Sequence, residues 1–431
     1  MFVRLCSLLG AAALACAELT VPAGDARLYY SEQNWVRHNA SLTSAVNAGA
    51  YLKLAFRSSA SVSLLLQPPD ATAVANASAA VQFMTVAYSV DNGERLLAPV
   101  WTNTSRLALA SSLPADDSDA RPHTLTLYIY NSRQGANRWA DPANAGASAG
   151  ALLVRGVALD DGAVALAPAA LQLRPKRALF LGDSITEGVA AQCTWAPTCH
   201  APKGSADLCA NAGTKSWVHA TAAAMQAEFS QVGFGGLGWV VGGCGGVPPL
   251  FTPGNDALSS WNKVYAGHAR SFAGLDYIFV LHATNDGLRG AGGQDPGKVA
   301  EAAEGWLAAV RAAAGPTTAI FLAVPFGGFG GVNRPVGALK AAFDAYKASP
   351  SGQRDARTFF VDLGRDAAIG LECFGNDPTL KPAYGSRCGR SEAGCGGIHP
   401  RGGTTTIARD AELGAMLAVS ATGALLGGKD Y

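Results

Sequence analysis

From about residue 19 to 170 the apolar positions recur at every second residue or run unbroken for the length of a strand. Y-L-K-L-A-F from Tyr51, S-V-S-L-L-L from Ser61, F-M-T-V-A-Y-S from Phe83 and T-L-T-L-Y-I-Y from Thr124 each predict one. Turn residues separate the runs. Asp91-Asn92-Gly93 predicts a hairpin, and Asp160-Asp161-Gly162 predicts another between the runs from Val154 and Ala163. No helical period interrupts this half, which reads as a β-sandwich of jelly-roll kind. Such a domain either binds carbohydrate or is purely structural.

Past Leu173-Arg174-Pro175-Lys176 the period changes. Short apolar runs from Ala178, Tyr277, Ala319 and Phe359 alternate with helical stretches over 216–229, 296–314, 335–348 and 404–426. Alternation of this kind predicts crossover units, a parallel sheet with helices on both faces, and chemistry at the carboxyl ends of the strands. The expected class is therefore α/β, a sandwich followed by a three-layer α/β/α domain of flavodoxin-like type. The final stretch carries charges and is followed by Lys429 and Asp430, so it is expected to pack as a helix, not to anchor.

Composition narrows the partners. The 431 residues carry 33 basic and 32 acidic side chains, for a net charge of +1. With no basic block or stripe, nucleic acid and anionic membranes are poor candidates. The first 17 residues have one Arg, an apolar stretch and small residues at Ala15 and Ala17, the pattern of a signal peptide cleaved after Ala17. Expected boundaries are thus 1–17 for the signal, 18–172 for the sandwich and 173–431 for the second domain. Sequons at Asn39, Asn76 and Asn103 fit a secreted, glycosylated chain. Seven cysteines remain beyond the signal, all after residue 190 and none as C-x-x-C. Disulfides are the expectation, zinc is not, and the odd number leaves at least one thiol free or paired between chains.

The chemistry centres on G-D-S-I-T-E-G from Gly182. S-I-T-E is a capping box, which would make Ser184 only a helix cap with Glu187 reaching back. A Ser on a tight strand-to-helix turn also exposes its hydroxyl beside amides that favour negative charge. Downstream lie the other parts that a nucleophile needs: glycines in V-G-F-G-G-L-G from Val232, Asn285 in L-H-A-T-N-D, and His399 in G-G-I-H-P-R. Nucleophile, base and oxyanion donors are the components of serine ester chemistry.

These four blocks, in this order, resemble the SGNH or GDS(L)-type hydrolases over residues 177 to about 425. The resemblance implies Ser184 as nucleophile and His399 as base, with the Ser184 and Gly236 N–H groups and the Asn285 side chain as oxyanion donors. The layout as a whole is similar to the two-domain acetylxylan esterases of carbohydrate esterase family 2. That implies a secreted carboxylic ester hydrolase acting on acetylated polysaccharide or oligosaccharide, with no cofactor and no metal. Two positions depart from the pattern. Ala283 stands where the third block usually has Gly, and Gly396 stands where the last block usually has Asp. Without that Asp, His399 would work in a dyad oriented by a main-chain carbonyl, or with Asp362, Asp377 or Glu392 from another loop. Transfer of the acyl group to a sugar hydroxyl, or carbohydrate binding on a degenerate hydrolase fold, are the alternatives.

Other residues have plainer readings. Asp183 and Asp286 are expected to support their loops. His282 is expected to pack or bond to backbone, and Trp217 to lie in the core. Trp239 is a candidate to stack on a sugar or to fill space behind the glycine loop, and Trp35 and Trp139 pose the same choice. Cys244, in G-G-C-G-G, is expected to staple its loop by a disulfide.

Overall fold

The computed structural model describes residues 18–69, 80–114, 122–143, 150–189, 191, 208, 211–288, 293–324, 336–362, 422 and 425. The expected signal peptide and cleavage point, Asn76 and the His399 block lie outside them. Asn39 and Asn103 are exposed. Among the described residues no helix is long and apolar enough to cross a membrane.

Strands are numbered along the chain. One antiparallel sheet of the sandwich runs β3 (Trp35–Asn39), β4 (Leu42–Ala45), β11 (Leu152–Leu159), β6 (Val62–Leu66), β9 (Arg106–Ala110), with β1 (Leu19–Pro22) also on β11. The other runs β12 (Val164–Leu166), β5 (Tyr51–Arg57), β10 (His123–Ser132), β7 (Gln82–Val90), β8 (Leu96–Trp101), with β2 (Tyr29–Tyr30) on β5. Their facing residues, among them Leu52, Leu54, Phe56, Leu64, Val86, Leu127 and Val157, form one closed core.

The Asp91 turn joins β7 to β8 as expected, with Asp91 and Asn92 both at φ 56°. The Asp160 turn does not make a hairpin, because β11 and β12 belong to different sheets. Asp160 fastens this crossing instead, accepting from Ala60 N–H, Ser61 N–H and Ser61 Oγ–H at 2.7, 2.9 and 2.5 Å.

The second domain is built on a five-stranded parallel sheet. Its order is β14 (Ala227–Gly233), β13 (Lys176–Gly182), β17 (Tyr277–Leu281), β18 (Ala319–Val324), β19 (Thr358–Asp362). A two-stranded hairpin, β15 (Lys263–Tyr265) and β16 (His268–Ala269), precedes β17. Taken in chain order the sheet reads 2-1-3-4-5, the flavodoxin-like winding, whose switch point lies between β13 and β17.

Alternate residues of each strand serve opposite layers. Phe180, Phe279, Phe321 and Phe359 stack across four strands at 4.9, 4.6 and 5.2 Å between centroids. They share their layer with Trp217 and Leu425. Leu179, Leu181, Ile278, Val280, Ile320 and Leu322 face the other layer. There helix Pro296–Ala314 presents Val299, Ala302, Ala303, Trp306, Leu307 and Val310 at helical spacing. Asp295 caps that helix through Gly297 N–H, and Pro296 opens it.

One predicted element divides. The helix expected over 216–229 ends at Ala224, and 227–233 is strand β14. Every residue of β14 is buried although it is an edge strand, because the sandwich packs on it. Its polar residues bond across that junction: Ser230 Oγ–H donates to Gln33 Oε1 at 2.7 Å, Asn34 Nδ2–H to Gln231 O at 2.7 Å, and Lys53 Nζ pairs with Glu228 at 2.8 Å. A strand that is buried yet carries Glu, Ser and Gln has no apolar run to betray it. Helix Val336–Ala348 lies as expected. Of the predicted final helix, Thr422 and Leu425 are described and helical, and the rest lies outside the described residues.

Candidate functional site

Three neighbouring strands end at one level. Gly182 pairs with Gly233 on one side and with Leu281 on the other. Two residues past Gly182 comes Ser184, three past Gly233 comes Gly236, and four past Leu281 comes Asn285. The register of the sheet therefore gathers the three at the switch point, from chain positions about fifty residues apart from one to the next. Phe234 N–H donates to Gly182 O at 3.2 Å and draws the glycine loop over the β13 end. A Cβ on Gly233 would lie 2.4 Å from Glu187 N, so this close approach requires glycine there.

Ser184 opens a four-residue helix, α1 (Ser184–Glu187), closed by Gly188 in the left-handed conformation at φ 80°. The capping box is not formed. The cap is Asp183, whose carboxylate accepts from Ile185 N–H at 2.9 Å, and Ser184 is the first residue inside the helix. Its side chain is thus released from capping.

Glu187 is turned away from the helix start into a buried pair with Arg138, Nη1 to Oε1 at 2.6 Å, the two side chains 0% and 1% exposed. Glu187 also accepts from Gly235 N–H at 2.8 Å and Gln134 Nε2–H at 3.1 Å. Arg138 lies over the Phe234 ring at 5.1 Å. Both Arg138 and Gln134 come from the sandwich, in the loop after β10. A sequence reading has no signal for them, since each pairs with a residue about fifty positions away through tertiary folding alone.

Gly236 takes φ 75°, and among the described residues nothing accepts from its N–H. The Asn285 amide, nearly buried, donates from Nδ2 to Leu237 O at 3.0 Å and to Asp183 Oδ2 at 3.3 Å. It thus touches the neighbours of both Gly236 and Ser184. Asp286 accepts from Trp239 N–H at 2.9 Å and Val240 N–H at 3.0 Å, bracing the loop after β14. Burial raises the Asp286 carboxyl above its ordinary value. Burial likewise pushes Asp183 up to about 7, against bonds from Ile185 N–H and Thr284 that favour the ion.

Two readings change, Trp239 as a sugar contact and Cys244 as a staple, and two hold. Trp239 is completely buried, edge-on to Trp306 and His282 with centroids at 5.6 and 6.1 Å, so it fills space behind the glycine loop and offers no face to a sugar. Trp35 is core, and Trp139 is partly buried where the two domains meet. Cys244 is a free thiol and not a staple. Its loop is tied by backbone instead, Cys244 N–H to Gly235 O at 2.7 Å and Gly243 N–H to Val247 O at 2.8 Å. The other eight cysteines lie outside the described residues. Trp217 is fully buried as expected. His282 is fully buried, packed beside Trp239 with Nδ1 3.4 Å from Leu237 O, and burial lowers its pKa to about 3. His399, Gly396, Asp377 and Glu392 lie outside the described residues. Asp362 ends β19 at the same edge of the sheet, paired with Val324.

No family model matches the chain, and no curated protein matches it in sequence. Its fold is shared with solved structures. A family two carbohydrate esterase from Clostridium thermocellum in complex with cellohexaose matches at TM-score 0.61 and 17% identity, over 93% of this chain and 99% of that one. An acetyl xylan esterase from the rumen bacterium Butyrivibrio proteoclasticus matches at TM-score 0.56 and 15% identity, over 80% and 90%. A salicylyl-acyltransferase from a tetracycline biosynthetic pathway matches at TM-score 0.52 and 13% identity, over 95% and 98%. The chain shares the two-domain fold of these family two carbohydrate esterase structures, a sandwich followed by an α/β domain on a parallel sheet.

Proposed function

We propose that the chain is an exported serine esterase that cleaves carboxylic esters on carbohydrate, acetyl esters foremost. The observation that carries this reading is the convergence of Ser184, Gly236 and Asn285 on the switch point of a fold shared with carbohydrate esterases. The signal-like first 17 residues and the exposed Asn39 and Asn103 sequons support export.

In the proposed reaction Ser184 Oγ attacks the acyl carbonyl while His399 takes its proton. The carbonyl oxygen gathers negative charge among the Ser184 and Gly236 N–H groups and the Asn285 amide. The Asn285 bond to Asp183 is the longer of its two, so that hydrogen is the one an oxyanion draws away. Collapse of the tetrahedral adduct breaks the bond to the alkoxy oxygen, and His399 returns the proton to the leaving sugar hydroxyl. Water, deprotonated by His399, then releases the acid and regenerates Ser184.

The acyltransferase neighbour favours a second reading, in which a sugar hydroxyl replaces water in the last step. Competing alcohol acceptors in the assay separate the two by their products.

Covalent labelling of the secreted protein with a fluorophosphonate tests the assignment. Wild type should label, and Ser184→Ala and His399→Ala should not. Asn285→Ala should lose about 10²–10³ in turnover. A folded wild type that stays unlabelled would overturn the reading in favour of a carbohydrate-binding protein.

A further inference from the structure

Where the sandwich meets the hairpin, three metal-ligating side chains from three separate segments face one another: His38 on β3, Asp141 in the loop after β10, and His268 on β16. One donor atom from each lies within 4.8 Å of the other two. We propose that they form a zinc site that fastens the two domains together.

The donor set and its surroundings suit that ion. Two imidazoles and one carboxylate are ordinary zinc ligands, and a fourth position is left for water. On His38 the roles of the two nitrogens are divided. Nε2 is engaged by Ser44 Oγ at 2.9 Å and Tyr265 OH at 3.2 Å, which fixes the ring from behind. Nδ1 faces Asp141 Oδ1 at 4.0 Å, too far for a hydrogen bond but suited to two ligands of one cation. Asp141 Oδ1 is itself held by Ala143 N–H at 2.9 Å, so the carboxylate is oriented before any ion arrives. His268 Nε2 lies 2.8 Å from Asp141 Oδ2. Tetrahedral zinc with bonds of about 2.0–2.2 Å sets its ligand atoms roughly 3.3–3.6 Å apart, so the three move by about an ångström to close on it. Side-chain exposure of 30% at His268, against 9% at His38 and 15% at Asp141, leaves one open side for entry and for the water.

The site has a structural consequence. Asp141 follows Arg138 by three residues, in the loop whose Arg138 clamps Glu187 below Ser184. Ala266 N–H already donates to Trp139 O at 2.8 Å between that loop and the hairpin. Zinc at His38, Asp141 and His268 adds a fastening on the same loop. No local spacing of His or Cys announces it, since His268 and Asp141 are 127 residues apart.

The test uses the full chain, freed of metal by chelation and titrated calorimetrically with zinc chloride. Wild type should take up one ion at this site and gain about 3 °C in Tm at a hundredfold excess over Kd. His268→Gln should lose that uptake and that gain, with its metal-free Tm near wild type because His268 sits on a partly exposed two-residue strand. Asp141→Asn is the second variant, and should weaken uptake at least tenfold. No uptake by wild type, or uptake unchanged in both variants, as binding through cysteine thiols would give, overturns the proposal.

Discussion

Ala283 holds φ at 128°, in the range that favours glycine, at the residue where the third sequence block departs from Gly. Its carbonyl accepts from Gly287 N–H at 3.1 Å, so the conformation is built into the turn that presents Asn285. Ala283→Gly should therefore raise stability by about 1 kcal/mol, the relief of strain exceeding the added freedom of the unfolded chain. Urea denaturation measures this, and an unchanged or lower midpoint would show that the Ala methyl contributes packing worth more than the strain. Asp183 makes a prediction in pH. Its carboxyl titrates at about 7 in the fold against an ordinary 3.8, so between those values the folded chain keeps a proton that the unfolded chain has released. The stability that comes from this group is full below the lower value and is lost as pH rises through about 7. Asp183→Asn removes the titration, and its stability should change less between pH 5 and pH 8 than that of wild type. Equal slopes would place the titration elsewhere.

At the scale of elements, the loop after β14 is shaped by what passes beside it. A Cβ on Gly238 would lie 2.5 Å from Asp286 Oδ2, in the carboxylate that holds the Trp239 and Val240 N–H groups. Gly238→Ala should push that carboxylate out, leave two buried donors short of an acceptor and cost about 1–3 kcal/mol. A thermal midpoint within a degree of wild type would mean the loop absorbs the methyl. The elements most legible in the sequence were those whose burial pattern was apolar and regular, such as helix Pro296–Ala314 and the four strands from Lys176, Tyr277, Ala319 and Thr358. Strand β14 was not legible, because burial against a polar domain junction lets Glu228, Ser230 and Gln231 lie inside. The short α1 helix was misread for a related reason. S-I-T-E has the letters of a capping box, but Glu187 finds a buried Arg138 at 2.6 Å, and Asp183 is one residue better placed to cap.

For the whole molecule, the Arg138–Glu187 pair is the contact through which the sandwich reaches the Ser184 turn. Arg138→Met leaves Glu187 buried and uncompensated, a loss of about 3–5 kcal/mol. Adding Glu187→Gln should restore a good part of it, and the same double variant should show lowered ester turnover if the pair positions Ser184 and the Gly235 loop. A double variant no more stable than Arg138→Met alone would mean that the charge of Glu187 is neutralised by another route. The pair also gives the sandwich a role that needs no glycan: it contributes to the base of the candidate site.

The local pattern by itself determined the two kinds of domain, four of the five parallel strands and their order along the chain, and the residues set at the strand ends, because periodicity and strand-to-helix turns are written over a few neighbouring positions. Tertiary structure alone decided which strands are adjacent, that Glu187 turns to Arg138 instead of closing a capping box, that Trp239 is wholly enclosed, and that Arg138, Gln134, His38, Asp141 and His268 lie where the domains meet. Those outcomes depend on pairings between residues dozens to more than a hundred positions apart, which burial and hydrogen bonding settle only once both domains have folded against each other.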